Sequence, residues 1–139
     1  ATGVVAALDA VGLAGTVPVT GQDGDDPALN RVALGTQLVS VWKDAFALGQ
    51  TAGEVAVQLA DGVALEEIQA PDDLQDHVAP EAGTAAQPFS TPGGIEVQSI
   101  ILKPTPITLD NLSLVIDLGW VTTDIVCAGV EPGTVDVCG

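Results

Sequence analysis

Short β-rich segments alternate with helical patterns between residues 16 and 62, and this order restricts the chain to few architectures. TVPVT at residues 16–20 and TQLVSVW at residues 36–42 are rich in β-branched side chains, which favours strands. Helical patterns follow at residues 25–35 and 44–62. Strand, helix, strand, helix in short succession predicts an α/β fold, a Rossmann-like parallel sheet with flanking helices.

The helices have recognisable start signals. A first helix is predicted over residues 1–12. Asp25 or Asp26 is expected to cap the next one, with Pro27 in its first turn. Asp44 is expected to cap the longest helix, which has an apolar face at helical spacing formed by Leu48, Ala52, Val55 and Leu59.

The second half of the sequence is less regular. Residues 63–94 are rich in Pro, Gly, Ala and acids and are expected to form a long loop, an acidic insert. IEVQSIILK at residues 95–103 predicts a third strand, and Thr108 is expected to cap a short helix after it. We therefore divide the chain into a lobe of residues 1–103 and a C-terminal segment of residues 104–139.

The net charge excludes two classes of partner. Nineteen acidic residues stand against three basic ones, which gives a formal charge of -16. A nucleic-acid binder needs clustered Lys and Arg, and an anionic membrane surface would repel this chain. We interpret the acidity as a solvated surface suited to salty or secreted conditions. The N-terminus lacks a signal-peptide pattern, so we expect a mature, processed or cut chain.

Two cysteines, Cys127 and Cys138, lie close together near the C-terminus, at a spacing unlike any zinc motif. A disulfide between them would stabilise the fold by about 3 kcal/mol in the chain-entropy model and would indicate an oxidising compartment. Two free buried thiols are the alternative. We predict the disulfide.

The candidate binding residues follow the first two strands. In open α/β sheets ligands bind outside the carboxyl ends of the strands, and here these positions hold Gln22, Asp23 and Lys43. An ionised Asp can accept two hydrogen bonds from sugar hydroxyls and a Lys ammonium can donate up to three. The set suits a neutral polyol, although an Asp after a strand is often only a turn former or helix cap.

Other chemistries lack their motifs. The aspartates at positions 23, 25 and 26 lack the spaced Gly and final Glu of a calcium loop. His77 has no Ser or Cys motif with which to form a catalytic triad. Trp42 and Trp120 could stack on a sugar ring, but both fall in segments that predict burial. We expect no enzyme activity, no metal and no cofactor.

Three segments together resemble a known family. VVAALDAVGLAGTVPVTGQDGD followed by GTQLVSVWKD resembles the C-terminal lobe of periplasmic D-xylose and multiple-sugar binding proteins. IILKPTPITLDNLSLVIDLGW, residues 100–120, is similar to the segment in which those proteins cross the hinge and finish on the other lobe. The resemblance covers nearly the whole chain except the acidic loop and the Cys138 tail.

The resemblance implies a type I periplasmic binding protein fold, in which two lobes joined by three crossing strands close on a monosaccharide. In those relatives the Asp of the GQD motif and the Lys after the next strand touch the sugar, which implies the same roles for Asp23 and Lys43. It also implies an extracytoplasmic location, an ABC permease as partner, and an aldopentose or aldohexose as ligand.

The sequence departs from the family in two ways. An Asn-Asp-Gly strand end, whose Asp would also bind sugar, is absent before the first helix, and so is the entire N-terminal lobe. We therefore expect residues 104–139 to pack on that missing lobe or on another chain. Without such a partner, much of the surface on which they would pack is missing for four side chains, Leu112, Leu114, Val115 and Trp120.

Two alternatives remain open from the sequence. The lobe could have been reused as a structural or interaction protein that no longer binds sugar. It could also be the effector domain of a LacI-type transcription regulator, which shares the fold. The cysteine pair and the negative charge argue against the regulator, because it needs a DNA-binding headpiece and a reducing compartment.

Overall fold

The computed structural model describes residues 1–72, 74 and 85–139. The chain separates into unit 1, which contains Ala1–Lys43 and Pro104–Gly139, and unit 2, which contains Asp44–Lys103. Residues 104–139 thus belong to the same unit as the N-terminal strands and helices. The expected loss of packing surface does not occur at Leu112 and Val115, which are buried within unit 1, while packing of this segment on a missing lobe stays a prediction.

The elements are numbered here in chain order. The strands are β1 (Thr20–Asp23), β2 (Val39–Trp42), β3 (Gln87–Ser90), β4 (Glu96–Ser99) and β5 (Thr105–Ile107). The α-helices are α1 (Thr2–Asp9), α2 (Asp26–Ala33), α3 (Ala45–Ala60), α4 (Ser113–Asp117) and α5 (Thr123–Val126). Short 3-10 turns lie at Leu65–Glu67, Leu109–Asn111 and Asp136–Cys138.

The sheet of unit 1 has the order β1-β2-β5. β1 and β2 are parallel, as predicted, and helix α2 connects them. β5 pairs with the other side of β2 in the antiparallel direction, so the sheet is mixed. Pro106 lies within β5, and an edge strand tolerates a proline because one of its sides needs no N–H donors.

The first strand begins later than the sequence predicted. TVPVT was expected to be the strand, but residues Leu13 to Val17 form a turn in which the N–H groups of Thr16 and Val17 both donate to the Leu13 carbonyl. Ladder pairing to the second strand starts where Leu38 N–H donates to Val19 O. The strand is shifted toward the C-terminus, and Asp23 is its last residue.

Unit 1 has a continuous hydrophobic core between α2, the sheet and the C-terminal segment. Leu29 and Val32 on α2 are fully buried, and Ile107 at the end of β5 packs in the same cluster. Burying a Leu or Val side chain contributes roughly 1.5–3 kcal/mol. The other buried members of the cluster are Ala33, Trp42, Leu112, Val115, Val121 and Val126.

The C-terminal segment is fastened to unit 1 by polar contacts as well. Thr108 is the N-cap residue of the 3-10 turn Leu109–Asn111, and its backbone N–H donates to Asn111 Oδ1 at 2.8 Å. Asn30 Nδ2 donates to the carbonyls of Val126 and Ala128, at 2.9 and 2.8 Å. The predicted disulfide, Cys127–Cys138, closes the tail.

Unit 2 is built from α3 and a β-hairpin. Asp44 caps α3 as predicted, since its carboxylate accepts hydrogen bonds from the N–H groups of Phe46 and Ala47. The predicted third strand instead pairs, as β4, with β3 in a separate antiparallel sheet. Thr91 closes the hairpin turn, because its N–H donates to Ile95 O, so the ladder forms locally.

The described part of the chain contains no helix that is both long and apolar enough to cross a membrane.

Candidate functional site

Asp23 and Lys43 meet at the carboxyl ends of the two parallel strands. In the β1–β2 register Asp23 lies opposite Trp42, and Lys43 is the next residue along the chain. Lys43 Nζ lies 2.8 Å from Asp23 Oδ1, which is an ion pair with a hydrogen bond. The structure therefore brings together the two residues that the strand positions and the resemblance both selected.

The pair is accessible to a ligand. The side chain of Asp23 is 71% exposed and that of Lys43 is 46% exposed. An exposed ion pair contributes only about 0–1 kcal/mol to stability, because water and salt screen the charges. The fold thus gains little from this pair, and its accessible oxygen and ammonium atoms remain available for binding.

Gln22, the third candidate, is exposed in β1. It precedes Asp23 by one residue, and successive residues of a strand face opposite sides of the sheet. Within the described part of the chain no hydrogen bond or ion pair joins Gln22 to Asp23 or Lys43. Its part in ligand binding stays a prediction.

The backbone at Asp23 is unusual. Its φ of 81° lies in the left-handed region, and no other non-glycine residue in the described ranges has a positive φ. This conformation costs about 1–2 kcal/mol for an L-residue. Such strain persists only where the surroundings impose it, and it concentrates at functional sites. The backbone therefore marks Asp23 independently of its charge.

Three neighbouring residues support the turn and were not predicted as part of the site. Gly24 follows Asp23 with a φ of 69°, its N–H donates to the buried Ser40 Oγ at 3.2 Å, and its carbonyl accepts from Trp120 Nε1 at 2.7 Å. The Gly in GQDGD was a visible signal of a turn with positive φ. Nothing local in the sequence indicates the contact with Trp120.

The two tryptophans pack together, as their segments predicted. Trp42 is 4% exposed, and its ring makes an edge-to-face contact with Trp120 at a centroid distance of 5.6 Å. Trp120 is only partly buried, so burial favours core packing over sugar stacking for Trp42, and Trp120 packs against it behind the turn.

The aspartates at positions 23, 25 and 26 form no metal site in the part of the chain that the structure describes. His77 lies outside the described residues. In the ranges that the structure describes, no group of three or more His, Cys, Asp or Glu side chains is placed to hold a metal ion.

Comparison with known proteins gives relatives for part of the chain. The D-xylose-binding periplasmic protein of Escherichia coli K12 is 45% identical over 62 residues, which are 45% of this chain and 19% of that protein. The protein of the same name from Haemophilus influenzae is 39% identical over 66 residues, 48% of this chain and 20% of its own length. No protein-family model matches the sequence.

A solved structure extends the comparison to the fold. The crystal structure of an ABC transporter solute binding protein from Clostridium phytofermentans with bound β-D-glucose superposes with a TM-score of 0.55 at 25% identity. The match covers 78% of this chain and 28% of that one.

These matches confirm the predicted resemblance and the α/β fold. The chain spans about a fifth of the length of the curated relatives it matches. Over the matched residues the chain is similar to D-xylose-binding periplasmic proteins, and its fold is similar to that of a sugar-bound ABC transporter solute binding protein.

Proposed function

We propose that this chain supplies one wall of a monosaccharide site in the solute-binding component of a sugar ABC importer. The observation that carries the proposal is the exposed Asp23–Lys43 pair at the ends of adjacent parallel strands. The relatives named for D-xylose and the neighbour with bound β-D-glucose support a sugar as the ligand class.

The chemistry of the pair favours a neutral polyol. A sugar hydroxyl is both donor and acceptor, so one hydroxyl can donate to the Asp23 carboxylate while it accepts from the Lys43 ammonium. The pair itself has no net charge, and the chain carries -16 overall, which disfavours anionic ligands. An aldopentose or aldohexose meets these requirements with several adjacent hydroxyls.

A single wall binds weakly. Ligand sites bury most of their ligand, and here the pair stands on an exposed edge of unit 1. Tight binding therefore requires a second wall, which we propose comes from the part of the protein that the relatives possess beyond the matched segment. The ABC permease is the partner at the membrane.

An apolar groove in unit 2 supports a partner for this chain. It encloses about 350 Å³ between α3 and the residues after β4. Its lining includes the exposed side chains of Leu48 and Leu59, and the hydroxyl of Thr51, which is buried without a hydrogen-bond partner among the described residues. We propose that the remainder of the sugar-binding protein covers this groove.

The groove proposal is tested by analytical ultracentrifugation of the isolated chain. An uncovered apolar groove should cause concentration-dependent self-association, and Leu59→Glu should reduce it because a charge at the rim opposes burial. Leu38→Glu, at an exposed position of unit 1, is the control for the added charge. A compact monomer at every concentration would contradict the proposal.

An extracytoplasmic location fits two observations. The curated relatives are periplasmic by name, and the Cys127–Cys138 disulfide is typical of oxidising compartments.

The sugar proposal is tested by an NMR titration of the chain with D-xylose and D-glucose, since NMR detects millimolar binding. We expect the amide resonances of Asp23, Gly24 and Lys43 to move together and to saturate. The anion gluconate should move them less. Absence of any shift at high sugar concentration would favour the alternative, a lobe reused for interaction without sugar binding.

A further inference from the structure

The turn that carries Asp23 is held by side chains from distant parts of unit 1. Asp23 and Gly24 are consecutive residues with positive φ, at 81° and 69°. Gly24 adopts a positive φ without steric cost, but Asp23 has a Cβ and is strained in this region, so the turn is more secure where contacts hold it. The contacts of Gly24 supply this support.

Both backbone polar groups of Gly24 are bound by side chains. Its N–H donates to Ser40 Oγ at 3.2 Å, and Ser40 is fully buried in β2. Its carbonyl accepts from Trp120 Nε1 at 2.7 Å, a contact that spans 96 residues of sequence. The peptide groups on both sides of Gly24 are therefore fixed in orientation.

Trp42 closes the third side of the turn. A Cβ built on Gly24 would lie 2.6 Å from Cδ1 of the Trp42 ring, so only a glycine allows the backbone to approach this closely. Trp120 in turn contacts Trp42 edge to face. Lys43 is the residue after Trp42, so the same packing that seats the turn also fixes the start of the Lys43 side chain.

We infer that Trp120 is a positioning residue for the ligand pair: its indole N–H holds the Gly24 carbonyl and keeps Asp23 in the left-handed conformation that directs its carboxylate to Lys43. The C-terminal segment thereby takes part in binding. The effect of Trp120 on sugar affinity rests on the proposed function. Trp120 itself does not need to touch the sugar.

The expected effect follows from the cost of the strained backbone. Without the Trp120 hydrogen bond, the turn can exchange with conformations in which Asp23 is relaxed, and these are favoured by about 1–2 kcal/mol at that one residue. The apparent dissociation constant rises in proportion as the competent fraction falls. Sugar affinity should therefore fall about tenfold, which corresponds to about 1.4 kcal/mol.

Two substitutions at position 120 separate the hydrogen bond from the packing. Trp120→Phe removes the N–H together with part of the ring. Benzothienylalanine at position 120 removes the N–H alone, since sulfur replaces the nitrogen in a ring of nearly the same shape. The same replacement at position 42 is the matched comparison, because Trp42 Nε1 has no partner among the described residues.

The experiment has two readouts in the full chain. Backbone chemical shifts and line widths of Asp23 and Gly24 report the turn without any ligand, and titration with D-xylose and D-glucose reports affinity. We expect both changes at position 120 to alter the turn resonances and to weaken sugar binding. Benzothienylalanine at position 42 alters the packed ring but breaks no hydrogen bond among the described residues, so it should shift the turn resonances less than the same replacement at position 120.

The outcomes are distinguishable. Unchanged turn resonances in both variants at position 120 would overturn the inference, and so would a changed turn with wild-type affinity. If the wild-type chain binds neither sugar, the proposed function fails, and the turn resonances alone decide whether Trp120 holds Asp23. Circular dichroism confirms that each variant is folded.

Discussion

Replacing Asp23 by Asn should strongly weaken ligand binding without weakening the fold. The ion pair with Lys43 is exposed at both ends, so its loss costs about 0–1 kcal/mol of stability. Asn is also among the residues that best tolerate a left-handed backbone, so the φ of 81° adds no new strain. The free energy of unfolding should change by less than about 1 kcal/mol.

The effect on binding is larger. A hydrogen bond to a charged group is worth about 1.5–3 kcal/mol, and Asn offers a neutral acceptor in its place. Affinity should fall by a factor of about 10 to 150 for each such bond lost. Since one wall binds weakly at the outset, the NMR titration with D-xylose should show almost no movement at Gly24 and Lys43.

Urea unfolding monitored by tryptophan fluorescence measures the stability side of this prediction. The sequence contains two tryptophans, Trp42 and Trp120, and both lie in unit 1, so the signal reports the unit that carries the site. Asp61→Asn, in unit 2, is the matched control because it changes the net charge by the same amount.

Two results would refute the reasoning. If Asp23→Asn binds sugar with wild-type affinity, the Asp23 carboxylate is not part of the binding site. A loss of stability above about 2 kcal/mol would show that the pair is structural, since exposed ion pairs do not contribute that much.

Three further predictions concern the cation, the core and the tail. Lys43→Gln should weaken sugar binding about tenfold or more in the same titration, whereas Lys103→Gln, with the same charge change, should retain wild-type affinity. Leu112→Ala should lower the free energy of unfolding of unit 1 by about 2–5 kcal/mol in urea, because Leu112 is 1% exposed in the core; a change below about 1 kcal/mol would contradict its burial. Reduction of Cys127–Cys138 should lower the fluorescence-monitored stability by about 3 kcal/mol, and equal stability with and without reductant would contradict the disulfide.

Local rules predicted that Asp23 and Lys43 would lie together better than they predicted the sheet. Asp23 and Lys43 could be selected from sequence because the carboxyl ends of parallel strands lie at the same edge of a sheet. The two short strands predicted in succession determine which residues lie at that edge. The start of β1 was misplaced because TVPVT has strand propensity, while the pairing of β1 is set by contacts with β2 that begin only at Val19.

The sequence does not indicate that β5 is the edge strand beside β2, or that Trp120 supports the turn at Gly24. Residues 95–103 have strand character, but part of this segment pairs in a local hairpin instead. Thr105–Ile107 takes the place beside β2, although it contains Pro106. The hydrogen bond from Trp120 to Gly24 joins residues 96 positions apart, so no periodicity or spacing in the sequence indicates it.

The decisive measurement is a crystal structure of this chain grown with D-xylose. We expect adjacent hydroxyl oxygens of one sugar within hydrogen-bonding distance of Asp23 Oδ and Lys43 Nζ, with the Trp120 contact to Gly24 intact. A sugar bound at another surface, with the Asp23–Lys43 pair untouched, would contradict it.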